Sequence, residues 1–193
     1  MSAKIHRLLT AIAFVGLAGV AAAQVPTLTV TNASSAKRIK TLSKDADGSF
    51  NKQTDRSVAL NINMTPLKDA KGGYDIEWFF LLKPIGRKGS SIFDAGSKHS
   101  EKGAAKFPVS SKPIQEMNSR SKAYSVETIG DSSAMVITTT DTTSGSKFSG
   151  WVVRVKTGGE VVRVEASLSE LKELATRNPE LFDKALAELG RLQ

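Results

Sequence analysis

Residues 57–64 alternate between two kinds of side chain. Val58, Leu60, Ile62 and Met64 point one way, and the small or polar Ser57, Ala59, Asn61 and Asn63 point the other. A period of two is the mark of a half-buried strand and is incompatible with an amphipathic helix. After a breaker holding Pro66 and Gly72-Gly73, the same period returns over Tyr74–Leu82. There Tyr74, Ile76, Trp78, Phe80 and Leu82 share a face. The opposite face begins polar at Asp75 and Glu77 and turns apolar at Phe79 and Leu81. This strand starts half-exposed and ends buried on both sides, which places it centrally, and Pro84 ends it.

Shorter strands are predicted at Thr27–Thr31, Arg38–Leu42, Ser91–Ala95, Lys106–Val109, Ala123–Ile129 and Met135–Thr139. Pro108 puts the fourth of these at an edge or a bulge, because proline has no N–H for a neighbour. Lys44–Arg56 reads as a mobile polar loop. Lys83–Gly89 and the Ser/Thr/Gly-rich run Thr140–Ser149 also read as loops. Further on, Ser149–Lys156 and Glu160–Ala166 flank Gly158-Gly159, a pair suited to a two-residue hairpin turn. The register that aligns the apolar residues sets Val155 against Val162, Val153 against Val164 and Trp151 against Ala166. It sends Arg154 and Arg163 to the opposite, solvent-facing side.

Beyond Ala166 the period becomes helical. Ser167-Leu168-Ser169-Glu170 fits a capping box, with Leu168, Leu171, Leu174 and Ala175 as the buried stripe. Asn178-Pro179 ends that helix and opens another, whose apolar side is Leu181, Phe182, Ala185, Leu186 and Leu189. The expected fold is mainly β: an antiparallel immunoglobulin-like β-sandwich over 24–166 with a short C-terminal helical segment over 167–193, packed on its own sheet. Core packing is expected around Trp78, Phe80, Trp151 and Val153. Phe79 is the aromatic to check for exposure.

The N-terminus sets the compartment. Lys4, His6 and Arg7 precede the apolar run Leu8–Val20, and Ala21-Ala22-Ala23 follows. That is the layout of a cleavable secretory signal over 1–23, cut after Ala23. The apolar run falls short of the roughly 20 residues a spanning helix needs. The chain has no cysteine, so neither a lipid anchor nor a disulfide is available. The expectation is a secreted or periplasmic protein, associated with the outer surface in one version, with no transmembrane segment after cleavage.

Once Lys4 and Arg7 leave with the signal, 25 basic residues face 19 acidic ones, a formal charge of +6. The excess gathers between Lys83 and Lys122. Arg87, Lys88, Lys98, Lys102 and Lys106 are the candidate partner-binding residues there, with acidic glycans as the ligand such a patch attracts. Solubilising lysines at strand edges are the alternative. Aromatics do not interleave with these lysines as base stacking requires, so nucleic acid is not an expected partner.

The catalytic inventory is short. His99 is the one histidine left after the leader, in Gly96–Glu101, which reads as a basic polar loop, and a Ser-His-Asp triad would have to use it. Asp75 and Glu77 share a strand face as a carboxylate pair could, although such pairs are usually solvated or matched with lysine. Asp45-Ala46-Asp47-Gly48-Ser49 resembles the start of a calcium loop but lacks the later ligands. No enzyme activity, metal or cofactor is expected.

Tyr74-Asp75-Ile76-Glu77-Trp78-Phe79-Phe80-Leu81, Gly150-Trp151-Val152-Val153-Arg154-Val155 and Glu165-Ala166-Ser167 with the leucine helix resemble a group of exported immunoglobulin-like proteins of Verrucomicrobia-type bacteria. The resemblance spans about Val58–Leu174 and rests on core and hairpin positions. It implies a non-enzymatic module that meets protein partners at the cell envelope, as accessory components of type IV pilus systems do. A homo-oligomer formed by sheet-edge pairing or helix docking fits the same reading. An acidic-glycan-binding module is the alternative.

Overall fold

The structure, a computed structural model, describes residues 25–67, 72–86 and 92–190. The expected leader over 1–23 and the candidate residues Arg87 and Lys88 lie outside them. The fold is mainly antiparallel β with two short C-terminal helices. In chain order the strands are β1 (Thr27–Lys44), β2 (Phe50–Thr65), β3 (Tyr74–Pro84), β4 (Ile92–Ser100), β5 (Ala105–Ser110), β6 (Ile114–Ile129), β7 (Ser132–Thr157) and β8 (Glu160–Ala166). Helices α1 (Ser169–Arg177) and α2 (Pro179–Gly190) follow.

The strands run in the order β1-β2-β6-β7-β3-β4, with β5 added to β2 and β8 added to β7. Strand β7 is the continuous member. Its first half, Ser132–Gly145, pairs with β6. Its second half, Ser146–Lys156, pairs with β3.

The alternation at Val58–Met64 has the consequence expected of it. Leu60, Ile62 and Met64 are buried together with Leu28, Tyr74, Ile76, Phe80, Ala105, Val109, Trp151, Val153 and Val155. Strands β2 and β3 are not neighbours in the sheet, so in this shared core side chains of β1, β2 and β5 meet those of β3 and β7 across the fold. Trp78 is only half-buried and leans on this core; its indole lies 5.7 Å from the Phe107 ring. Trp78 also covers Gly96 across the β3–β4 pair, where any Cβ would come within 2.5 Å of the indole.

The reverse face of β3, β7 and β8 builds a second core beneath the helices. Phe79, Leu81, Val152 and Val164 pack against Ala175 and Phe182. Phe79 is therefore buried, meeting Phe182 edge-on at 5.6 Å. The helices pack on their own sheet, and Pro179 opens α2 as expected. The capping box does not form. Leu168 occupies the α1 N-cap without a side-chain hydrogen bond, and the Ser167 hydroxyl instead accepts from the Trp151 N–H at 2.8 Å. Leu168 and Leu181, expected on buried stripes, are exposed.

Several local expectations are corrected. Lys44–Arg56 is no loop but a hairpin, its turn at Asp45–Ser49 joining β1 to β2. Thr140–Ser149 is extended strand within β7, and His99 lies in β4. Most of the Ser/Thr side chains in Thr140–Ser149 are exposed, and hydroxyl side chains are as compatible with a ladder as with a turn.

The terminal hairpin does turn at Gly158-Gly159, both at positive φ. Its register is displaced by one residue by an irregularity between Val155 and Lys156. Arg154 therefore sits opposite Val164, and Val155 opposite Arg163. A slip normally turns apolar residues to water. Here both faces of the sheet are covered, so Val164 enters the second core.

Arg154 follows from the same geometry. It is 3% exposed rather than facing solvent, with its Nε donating to Glu77 and one Nη to Asp183 of α2. Its guanidinium carbon lies 5.1 Å from the Phe79 ring centroid and 5.3 Å from that of Phe182. A buried guanidinium needs both acceptors and aromatic faces to offset its lost hydration. This cluster clamps α2 to the sheet.

Candidate functional site

The first half of β7 and the outer part of β6 leave the two cores altogether. Of Ser132–Gly145 only Val136 is even half-buried. Strand β6 pairs with β7 over Glu116–Ile129, a ribbon about 45 Å long at roughly 3.3 Å per residue, of which the part beyond Arg120 is about 30 Å. Its root lies beside the β1–β2 hairpin through pairing of Phe50–Arg56 with Ile114–Arg120. Beyond Arg120 that pairing ends, and β6 and β7 continue as a two-stranded ribbon to the turn at Gly130-Asp131.

The junction where support ends is tied by polar contacts. Asp47 turns its carboxylate back on the Ser49 N–H at 2.8 Å and on the Ser49 hydroxyl at 3.0 Å. These bonds, the backbone one foremost, hold its pKa below the ordinary value. The Lys122 ammonium donates to the Asp47 carbonyl at 2.6 Å, and the Lys122 N–H donates to the Ser49 hydroxyl at 3.2 Å. The Asp45–Ser49 segment is thus a hairpin turn with a lysine on it. Next along the ribbon, Arg120 donates twice to Asp141, at 2.7 and 2.9 Å. That pairing lowers the Asp141 pKa and raises that of Arg120.

Outside this junction the ribbon carries an apolar face. The register sets Tyr124 opposite Ile137 and Val126 opposite Met135, and directly opposed residues share a face. Exposures are 51% for Tyr124, 70% for Val126, 67% for Met135 and 51% for Ile137. The other face is mostly small and hydroxylated, with Ala123, Ser125, Ala134 and Thr138. The sequence reading contained both short strands but not their significance. The signal was there: two alternating runs around Gly130-Asp131 that set Tyr124, Val126, Met135 and Ile137 on one face, with Ile129 and Val136 on the other.

The residues expected to carry function are dispersed. Lys98, Lys102 and Lys106 are all exposed around the β4–β5 corner, where the Lys98 ammonium rests 4.3 Å from the Phe107 ring centroid. His99 faces Asp75 across β3–β4 and pairs with it, both side chains lying in solvent. Glu77 is taken by Arg154 and, at 3.2 Å, by Lys156. Glu77 is therefore held by two cations, and Asp75 by the His99 ring. Among the described residues no three His, Cys, Asp or Glu side chains gather as a metal site, and no helix is long and apolar enough to cross a membrane. A cleft of about 540 Å³ opens at the root of the ribbon, between Arg56, Val58, Ile114, Glu116, Lys147 and Phe148.

No family model matches the chain, and no curated protein matches it. Among solved structures it is similar to a crystal structure from the bacterium Akkermansia muciniphila, at 8% identity. The match covers 78% of this chain and 76% of that one with a TM-score of 0.28.

Proposed function

We propose that this chain, once exported, is a non-enzymatic interaction or structural module of immunoglobulin-like type at the cell surface or in the periplasm, and that it meets a protein partner through the β6–β7 ribbon. One observation carries the reading: Tyr124, Val126, Met135 and Ile137 form an apolar face on a two-stranded ribbon, and no described residue packs over it. A two-stranded ribbon by itself is marginal in water, and a third strand or a covering surface is what stabilises it. Clustered exposed apolar side chains are also the usual mark of a protein contact. The pilus-accessory role implied by the sequence resemblance is a finer version of the same reading.

The test is cross-linking in intact cells followed by capture of the parent and of a Tyr124→Ser/Ile137→Ser variant. The variant is expected to lose proteins that the parent retains. An identical captured set from both would remove the reading.

A second reading, binding of acidic glycans, has the exposed Lys98/Lys102/Lys106 corner in its favour. Binding through these lysines would weaken as salt is raised. A glycan array silent at low salt would end it.

A further inference from the structure

Exposed strand edges invite pairing, and proteins block them with charges, proline, bulges or a covering element. Among the described residues, nearly every free edge is blocked in one of these ways. The outer edge of β1 carries Lys37, Arg38, Lys40 and Lys44 without one acidic residue, and its register breaks at Ala33/Ala36 and again at Thr41/Ser43. Strand β5 holds Lys106 and Pro108, β4 holds Lys98 and His99, and β8 is only seven residues long and packed by α1. The free part of β6 bears Lys122 and Glu127.

Ser132–Gly145 of β7 is the exception. Its 14 residues pair with β6 in unbroken register, without a bulge. They include no lysine, arginine or proline. The single charge, Asp141, is matched by Arg120 within the same ribbon. Valine, isoleucine and threonine, the residues best suited to strands, fill Val136–Thr140 and recur at Thr142 and Thr143.

From this contrast we infer that the free edge of β7 pairs antiparallel with the same edge of a second copy of this chain, about a two-fold axis near Ile137. Charge selects the occupant. A second β7 brings no cation and no unmatched acid, so the strands meet without repulsion, whereas two β1 edges would oppose four cations to four. An axis at Ile137 sets Ile137 against its own copy and Met135 against Thr139 of the second copy. It also keeps Asp141 away from its counterpart, opposite Ser133. The two ribbons become one four-stranded sheet whose apolar face runs unbroken from Tyr124 and Val126 through both Ile137 side chains. The outward N–H and C=O groups of Ser132–Thr142 then gain partners, while the Gly145 carbonyl keeps the Ile85 N–H it already accepts at 2.8 Å. This inference rests on the ribbon being the contact surface and names the partner as a second copy.

Light scattering on the purified mature chain, over a concentration series, is expected to give the mass of two chains. Ile137→Lys places like charges directly opposite at the axis and should weaken association roughly tenfold or more. Ile39→Lys, an exposed change of the same kind on β1, should leave the dimer intact. Ile137→Lys mixed with Ile137→Glu should restore the dimer at low salt, which neither variant forms alone. The chain has no native cysteine, so Ile137→Cys should yield a disulfide-linked dimer on oxidation, while Val136→Cys and Thr138→Cys, each set diagonally from its own copy, should not.

A parent of one-chain mass throughout overturns the inference. So does a dimer that Ile137→Lys leaves intact, or one that Ile39→Lys dissolves. A monomeric parent whose ribbon variant still loses a captured protein would sink self-pairing and leave the interaction reading standing.

Discussion

The two halves of β7 belong to one unbroken strand and meet opposite surroundings. From Gly150 to Val155 every residue is buried, odd positions in the first core and Val152 in the second. From Ser132 to Gly145 nearly every residue faces water. The first stretch reads Gly-Trp-Val-Val-Arg-Val, the continuous apolar run of a strand covered on both sides. The second is hydroxyl-rich, with its two large exposed apolar residues, Met135 and Ile137, on one face. The comparison teaches that strand propensity and burial are separate properties of this chain. Threonine and serine sustain the ladder in the ribbon, and valine and tryptophan add the packing that makes the body stable.

The contrast breaks most easily in the body. Phe80→Ala should cost about 3–5 kcal/mol of unfolding free energy in a denaturant titration, because Phe80 is almost fully buried in the first core. Arg154→Ala should cost about 3 kcal/mol, at the lower end for a broken buried pair, since Glu77 keeps Lys156. Arg154→Met should recover part of that loss, and a methionine variant as unstable as the alanine one would contradict the clamp.

Gly145→Ala probes the boundary between the halves. Gly145 has φ +101°, and an added Cβ would lie 2.2 Å from the Gln115 carbonyl oxygen. A loss of roughly 2 kcal/mol or more is expected from backbone strain and that clash. Amide exchange should quicken on both sides of the join.

Tyr124→Ser should change stability by no more than about 0.5 kcal/mol in the isolated monomer, as an exposed substitution far from either core. A large loss would mean that the ribbon face is covered within its own chain.

Acid should act on the ribbon before the body. The Asp141 pKa is lowered in the fold by Arg120, and that of Asp47 by Ser49. Both carboxylates bind protons more readily when unfolded, so their contribution is whole above the ordinary value of 3.8 and disappears as pH falls through the depressed folded values. Exchange should therefore rise at Arg120–Lys122 and Asp141 at acid pH while β3 stays protected. Equal loosening of both would erase the distinction.

Much of the body was legible in the chain. Val58–Met64 and Tyr74–Leu82 form the strands their period of two predicts, β3 is central, and Gly158-Gly159 turns the last hairpin. The ribbon was legible only in pieces. Thr140–Ser149 has the composition of a loop, and local chemistry cannot tell a hydroxyl-rich strand from a turn when the neighbour that pairs with it lies 25 residues away, as Asn118 does from Thr143. The register of the last hairpin failed for another reason. Matching apolar residues fixes pairing only when one face is wet, and β7 is wet on neither face there.

What the residues determined alone is local: where the backbone is extended, where glycine permits a turn, where the period shifts from two to helical. These follow from steric and hydrophobic preferences that act over a few neighbours. What the tertiary structure decided is which faces stay wet. The helices cover Phe79 and Arg154, the first core covers Trp151 and Val153, and among the described residues nothing covers Tyr124 and Ile137. Burial depends on surfaces brought together from distant positions, and no short stretch of sequence contains them.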